Sequence, residues 1–179
     1  MNASAHQFIL GLGSNLGQRA ENLALAIRLI GQIPATWVLA ISLAVDSDPV
    51  GYSDQPNFLN ICISIVCSLK PDELLTETLK IERELGRQRT ENRNGPRTID
   101  IDLLFYEGGK WDSATVTLPH PRWSSRGFVV IPLRNLLQDP TLASQPAWSS
   151  LIREVGALSI GGEGLRTWHG PTPWIKIPH

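Results

Sequence analysis

Two acids set two positions apart, Asp100 and Asp102, stand inside the run Pro96-Arg97-Thr98-Ile99-Asp100-Ile101-Asp102-Leu103-Leu104. If that run is a strand, side chains two apart share a face and both carboxylates point the same way. Two anions on one face of an apolar strand repel each other unless a cation sits between them. Mg2+ suits the position, because it takes oxygen ligands and keeps waters that substrate phosphates can displace. The plainer alternative is a solvated acidic face with Ile99, Ile101 and Leu103 turned to the core, and the acid pair alone leaves both open. Upstream lie Arg83, Arg87, Arg89, Arg93 and Arg97, opposed by Glu82, Glu84 and Glu91. Of the 16 basic residues 12 are arginine, whose planar forks match phosphate oxygens two at a time. A solvated charge run would account for the arginines but not for the carboxylates beside them. Metal-holding acids next to phosphate-gripping arginines suit phosphoryl-type transfer, where positioning and charge neutralisation supply most of the rate.

Further residues could serve such a site. His120 sits between Pro119 and Pro121 and could donate to a phosphate, although a lone histidine is more often structural. Phe58 and Phe128 could sandwich a planar heterocycle by offset stacking, with Asn60 on the face of Phe58 offering a donor and an acceptor; plain core packing is the alternative for both rings. Gly11-Leu12-Gly13-Ser14-Asn15-Leu16-Gly17 is spaced G-x-G-x-x-x-G, with no acid near twenty residues on, which argues against a dinucleotide-binding fingerprint. No Walker-type phosphate loop occurs. The glycines are expected to form a tight turn close to a loop or ligand, with Ser14 or Asn15 capping the next helix.

The elements that must position these residues are legible from apolar spacing. Gln7 to Leu12 reads as a strand, and Ala20, Leu23, Ile27 and Ile30 as one helix face ending at Gly31. Trp37 to Val45 and Phe58 to Leu69 read as strands, separated by a loop punctuated with Pro49, Gly51 and Pro56. Pro71, Asp72 and Glu73 open a second helix with a stripe of Leu74, Thr78, Ile81 and Leu85, and Gly86 ends it. A fourth strand spans Thr98 to Tyr106. The order is β-α-β-β-α-β, an α+β ferredoxin-like antiparallel sheet with helices on one face and the other open to loops and ligands. An apolar helix from Phe128 to Leu137 follows, then a tail rich in Pro, Ser, Gly and Trp.

Length suits one domain with an appendage, divided as residues 1–138 and a C-terminal extension, 139–179, expected to pack on it. A net charge of −1 gives no general attraction to nucleic acid or anionic membrane. Cys62 and Cys67, five apart in one strand, point to opposite faces and are expected to be buried and unpaired. No secretory leader or membrane span is visible, so a cytoplasmic protein is expected.

Taken in order, these motifs make the chain resemble the 6-hydroxymethyl-7,8-dihydropterin pyrophosphokinase family over about residues 7 to 138. The resemblance rests on Gly11 to Gly17, Asp54-Gln55-Pro56-Asn57-Phe58-Leu59-Asn60, Glu82 to Arg87, Gly95 to Leu104, Leu118-Pro119-His120-Pro121-Arg122 and Arg126-Gly127-Phe128. It implies a monomer that moves the β,γ-pyrophosphate of ATP onto the pterin's hydroxymethyl oxygen in folate biosynthesis, releasing AMP. In such an enzyme Asp100 and Asp102 hold two Mg2+ ions, while Arg97 and Arg87, the latter from a closing loop, bind the phosphates. His120 and Arg126 also contact ATP, Thr117 and Leu103 line its pocket, and Glu82 and Arg89 lie near the nucleotide. Phe58 and Phe128 stack on the pterin, Asn60 and Ser47 bond its edge, and the backbone around Pro49 and Val50 helps. Asn94 stands where some members have a tryptophan, and Leu79 and Thr115 replace polar or basic residues of some nucleotide pockets. Two rivals are a non-catalytic ferredoxin-like module binding a small ligand or RNA, and a metal-dependent phosphate-ester hydrolase.

Overall fold

The computed structural model describes residues 5–87, 95–162 and 164–176, with positions 175 and 176 described by backbone alone. The chain begins with strand β1 (His6–Ser14), helix α1 (Arg19–Gly31), β2 (Thr36–Ile41), β3 (Val45–Ser47), β4 (Phe58–Cys67), α2 (Pro71–Glu84) and β5 (Asp100–Tyr106). A two-residue ribbon, β6 (Trp111–Asp112) with β7 (Thr117–Leu118), leads to α3 (Gly127–Leu136). The rest forms α4 (Pro140–Ala143), α5 (Ser149–Ala157) and β8 (Leu165–Thr167), with 3-10 turns at Pro146–Trp148 and Pro173–Lys176.

The main sheet runs β5-β1-β4-β3-β8, with β2 also paired to β4, and every pairing is antiparallel. This is the α+β ferredoxin-like arrangement. The expected second strand is two strands, because β4 is long enough to serve both: β2 pairs with its Ile63–Cys67 end and β3 with its Phe58–Asn60 end. At the break Ser42 bonds through its backbone N–H to Cys62 O (2.9 Å), and its hydroxyl accepts the Cys62 N–H (2.9 Å).

Alternation along the strands makes two interiors. Phe8, Leu10, Leu12, Ile61, Ile63, Ile65, Ile101 and Leu103 face α1 and α2, whose buried stripes include Leu23, Ile27, Ile30, Leu74 and Ile81. The opposite face, expected to be open, is covered over much of its area. Helix α3 is apolar enough to require an apolar bed, and Val129, Val130, Leu133 and Leu136 rest with Trp148, Leu151 and Val155 on Ile9, Cys62, Leu104 and Phe105. The tail contributes to both interiors, Trp148 to the second and Trp174 to the first, with β8 between them along the free edge of β3. Trp148 is tied down by a bond from its indole N–H to Gln7 Oε1 (2.9 Å), and the Gln7 amide donates in turn to Ser64 Oγ (2.9 Å). Cys62 and Cys67 are free and buried, one in each interior, and burial raises both thiols, Cys62 far above the ordinary cysteine range.

Asp72, in the first turn of α2, fastens the β6–β7 ribbon. Its carboxylate accepts from Ser113 Oγ (2.6 Å), from the Thr115 hydroxyl and from the Trp111 indole N–H (2.9 Å). These bonds, Ser113's first, hold its acid below the ordinary value of 3.8. A depressed folded value stabilises the protein above the unfolded value, and that contribution is lost as pH falls through the folded value. Asp72→Asn should therefore unfold more easily than the parent at neutral pH. The two melting curves should converge once pH drops below the folded value; a gap constant across that range in scanning calorimetry would contradict the assignment.

Candidate active site

Paired residues on neighbouring strands share a face. Asp100 lies opposite Gly13 and Gly13 opposite Asn60; one row on, Asp102 lies opposite Gly11 and Gly11 opposite Cys62. Of the glycines expected in a turn, Gly11 and Gly13 are therefore inside β1, while Gly17 lies beyond it with φ +60°. A Cβ at Gly13 would come 3.0 Å from Asn60 Oδ1, so a side chain there would have to push Asn60 aside. The result is a strip of backbone without side chains of its own between two aspartates on β5 and Asn60 with Phe58 on β4.

Three arginines reach the acids from three different elements. Helix α2 ends in a Schellman turn, in which Gly86 takes φ +82°, the Arg87 N–H bonds Glu82 O (2.9 Å) and the Gly86 N–H bonds Arg83 O (3.0 Å). That turn throws Arg87 back over the strand ends, where its guanidinium pairs with Glu82 and, at 2.6 Å, with Asp100 Oδ1. Arg97 reaches Asp100 Oδ2 at 3.0 Å. Arg126, the residue capping α3, reaches Asp102 Oδ2 at 3.3 Å. Two of these guanidiniums also lie over aromatic rings, Arg97 5.8 Å from the centre of Phe58 and Arg126 5.7 Å from that of Phe128.

Asn15, read from sequence as a helix cap, does something else, and α1 has no side-chain cap. Buried Asn15 accepts the Arg97 N–H at its Oδ1 (2.7 Å), and its own N–H bonds Arg97 O (3.2 Å). Its amide nitrogen donates to Gln55 Oε1 and Pro56 O, both at 3.0 Å. Ser14 instead accepts from Asn22 Nδ2 (3.1 Å). The end of β1 thus ties the Arg97 backbone to the loop that enters β4.

Burial shapes the titrating groups. It raises Glu82, against the pull of Arg87 and of the Ile101 N–H that Oε1 accepts at 2.7 Å. Asp102 is also raised, first by desolvation and then by the negative charge of Asp100, although 36% of its side chain stays open. His120 is lowered by burial, which favours the neutral ring. Its Nδ1 accepts the Arg122 N–H (3.1 Å), so the ring proton is assigned to Nε2. The aspartate oxygens are hard ligands on one face and fit a magnesium ion in kind. Among the described residues no group of three or more His, Cys, Asp or Glu converges, so a magnesium ion held there would take its remaining ligands from phosphate and water.

Not every expected site residue joins this cluster. Asp100, Asp102, Arg87, Arg97 and Arg126 converge, with Glu82 beneath Arg87. Leu103 is in the first interior, on the face of β5 away from the aspartates, and Thr117 is exposed with its hydroxyl on Asp112 Oδ1 (3.0 Å). Arg89, Arg93 and Asn94 lie outside the described residues. Of the expected pterin set, Asn60 donates to Ser47 Oγ (2.9 Å), beside Phe58. Pro49, Val50, Arg126 and Phe128 line one cleft of ≈ 390 Å3 together with Gly161, Gly164 and Leu165 of the tail. Sequence reasoning missed Asn15's clamp, for which an uncapped α1 leaves no signal, and the tail residues, which carry no chemical pattern.

Residues 9–138 match the model of a family described as 7,8-dihydro-6-hydroxymethylpterin-pyrophosphokinase (HPPK). A Bacillus subtilis protein named 2-amino-4-hydroxy-6-hydroxymethyldihydropteridine pyrophosphokinase is 39% identical over 159 residues, covering 89% of this chain and 88% of that one. A Methylorubrum extorquens protein of the same name is 40% identical over 144 residues, covering 80% and 90%. The crystal structure of a Plasmodium falciparum HPPK-DHPS with pterin and p-hydroxybenzoate aligns with TM-score 0.60 at 12% identity. It covers 93% of this chain and 48% of that one, and at such identity the likeness shows the fold. The geometry around Asn15 makes a separate expectation. Asn15→Ala leaves the Arg97 N–H and the Pro56 carbonyl short of a partner and should cost about 1–3 kcal/mol of unfolding free energy. A urea midpoint unmoved at equal slope would show that the clamp is dispensable.

Proposed function

The chain belongs to the 7,8-dihydro-6-hydroxymethylpterin-pyrophosphokinase family, and from that premise we propose how its residues divide the work of pterin pyrophosphorylation. The protein transfers the β,γ-pyrophosphate of ATP to 6-hydroxymethyl-7,8-dihydropterin, in folate biosynthesis. One observation carries the assignment of residues: Asp100 and Asp102 share a face beside a side-chain-free strip, with three arginines on their oxygens and two phenylalanines flanking.

Phe58 and Phe128 hold the flat pterin by its two faces, and Asn60 with Ser47 bonds its edge, the backbone at Pro49 and Val50 completing the wall. Arg87, Arg97 and Arg126 exchange carboxylate partners for phosphate oxygens when ATP arrives, which keeps each guanidinium paired throughout. Neutral His120 donates from Nε2 to a phosphate oxygen. Glu82 holds Arg87 in place, while Thr117 belongs to the nucleotide side; Leu103, turned into the first interior, does not. Asp100 and Asp102 would hold Mg2+, two ions on this proposal, which would supply charge neutralisation for the phosphates. The hydroxymethyl oxygen forms its bond to the β-phosphorus as the bond from that phosphorus to the α,β-bridging oxygen breaks. AMP leaves with the electron pair, and the hydroxyl proton passes to water. Among the described residues no side chain with the reach and basicity to ionise a primary alcohol stands by the strip, so alignment and charge supply the rate. On this proposal the chain acts as a cytoplasmic monomer without nucleic acid or membrane. No described helix is long and apolar enough to cross a membrane.

Product analysis separates the alternatives: AMP with pterin diphosphate supports the transferase, inorganic phosphate a hydrolase. ATP affinity indifferent to Mg2+ would mark a binding module. Asp102→Ala should cut turnover on the order of 10³-fold, and a loss under about tenfold would remove it from the metal-holding role. Phe128→Ala should raise the KM for pterin far more than that for ATP; the reverse order would move the pterin elsewhere.

A further inference from the structure

The C-terminal tail lies outside the matched residues 9–138, yet it touches both walls assigned to the pterin. Strand β8 extends the sheet beyond β3, with Leu165 opposite Ser47, Arg166 opposite Asp46 and Thr167 opposite Val45. The contact continues past the strand, because the Asp48 N–H donates to Gly164 O (2.8 Å). Arg166 pairs with Asp48 and, at 3.2 Å, with Asp46 Oδ1. The backbone leading into Pro49 and Val50 is therefore held by the tail on its outer edge.

Leu165 is in register with Ser47 and so projects from the same face. It crosses to the start of α3, where a Cβ on Gly127 would stand 2.6 Å from Leu165 Cδ1 and 3.1 Å from Ile160 Cγ2. Gly127 precedes Phe128, and only a residue without a side chain leaves Leu165 its place. On the other side Gly164 takes φ +70°, and a Cβ there would come 2.9 Å from Asp48 Oδ2. A side chain at either glycine would displace the Leu165 methyl or the Asp48 carboxylate from its place, so the tail is fitted to these two segments. Gly161, Gly164 and Leu165 also close the cleft that Pro49, Val50 and Phe128 open.

We propose that Leu165 and strand β8 form a positioning brace for the pterin pocket, setting the distance between the Ser47–Val50 segment and Phe128. This rests on the pterin assignment made above. A chain ordered before the ligand arrives has less conformational freedom to lose on binding, so the brace acts on pterin affinity and not on the chemistry. Of the residues assigned to ATP, Arg126 shares this cleft, whereas Asp100, Asp102, Arg87 and Arg97 are not among its lining residues.

The test compares Leu165→Ala, Leu165→Met and the parent in steady-state kinetics, with pterin affinity measured calorimetrically in the presence of a non-hydrolysable ATP analogue. Leu165→Ala should raise pterin KM and Kd about five- to tenfold, with ATP KM and kcat unchanged within about twofold. Leu165→Met should recover most of that loss. Hydrogen exchange of the Asp48 amide should quicken in Leu165→Ala without any ligand present. Should Leu165→Ala fail to fold, Arg166→Gln, which only removes half-exposed ion pairs, should still quicken that amide and raise pterin KM about two- to threefold. Unchanged pterin affinity in a folded variant, or equal losses for pterin and ATP, overturns the brace. A parent that neither binds nor converts the pterin overturns the functional assignment and the brace with it. A parent that does both, beside a variant of equal affinity, overturns the brace alone.

Discussion

Like charges on adjacent rows of a sheet repel, and Asp100 with Asp102 can coexist on β5 only because positive groups surround them. Among the described residues three guanidiniums, Arg87, Arg97 and Arg126, answer three carboxylates, the third being Glu82. No two of these arginines come from the same element, so the neutral cluster exists only when α2, the 95–98 loop and α3 have all docked. A buried Glu82 left without Arg87 would be an unpaired charge in a poor solvent, costly enough to dictate how α2 ends. The site is thus also a statement about assembly, since the helix termini are where they are to deliver cations.

The two faces of the sheet are put to different uses. The α1–α2 face is a continuous apolar interior. Its opposite is divided, with α3 and α5 covering Ile9, Cys62 and Leu104 while the strip at Gly11 and Gly13 adds no side chain to that interior. Glycine marks that boundary because a larger residue at position 13 would press on Asn60. Leu104 and Asn60 close over the places where two side chains are omitted toward the end of β1, an omission that costs strand propensity. β1 tolerates the omission because it is paired on both sides along most of its length.

Much of this was legible beforehand. Period-two and period-four spacing located the strands and helices, and the Asp100-Ile101-Asp102 spacing placed both acids on one face. The arginines were recognisable as a cluster, though not which carboxylate each would meet, since that depends on how helix ends close in space. Three things were not legible. The break between β2 and β3 follows from how β4 is shared, which local propensity does not encode. Asn15 looks like a cap by type and position, but the Arg97 backbone, 82 residues away, offers better partners. The covering of the second face was hidden because the apolar run after Phe128 announces burial without saying against what.

The bonds from Trp148 to Gln7 and from Gln7 to Ser64 reach further than anchoring a helix. Gln7 sits between Phe8 and His6 on β1, and sliding that strand by a single residue against β4 would swap which interior each side chain enters. Its amide would then fall among Ile27 and Leu74 with nothing to bond, while Phe8 would be thrust under α5. A polar key of this kind penalises the wrong alignment more than it rewards the right one. It is set at the far end of the same strand that carries Gly11 and Gly13, whose usefulness depends on standing opposite the aspartates and nothing else.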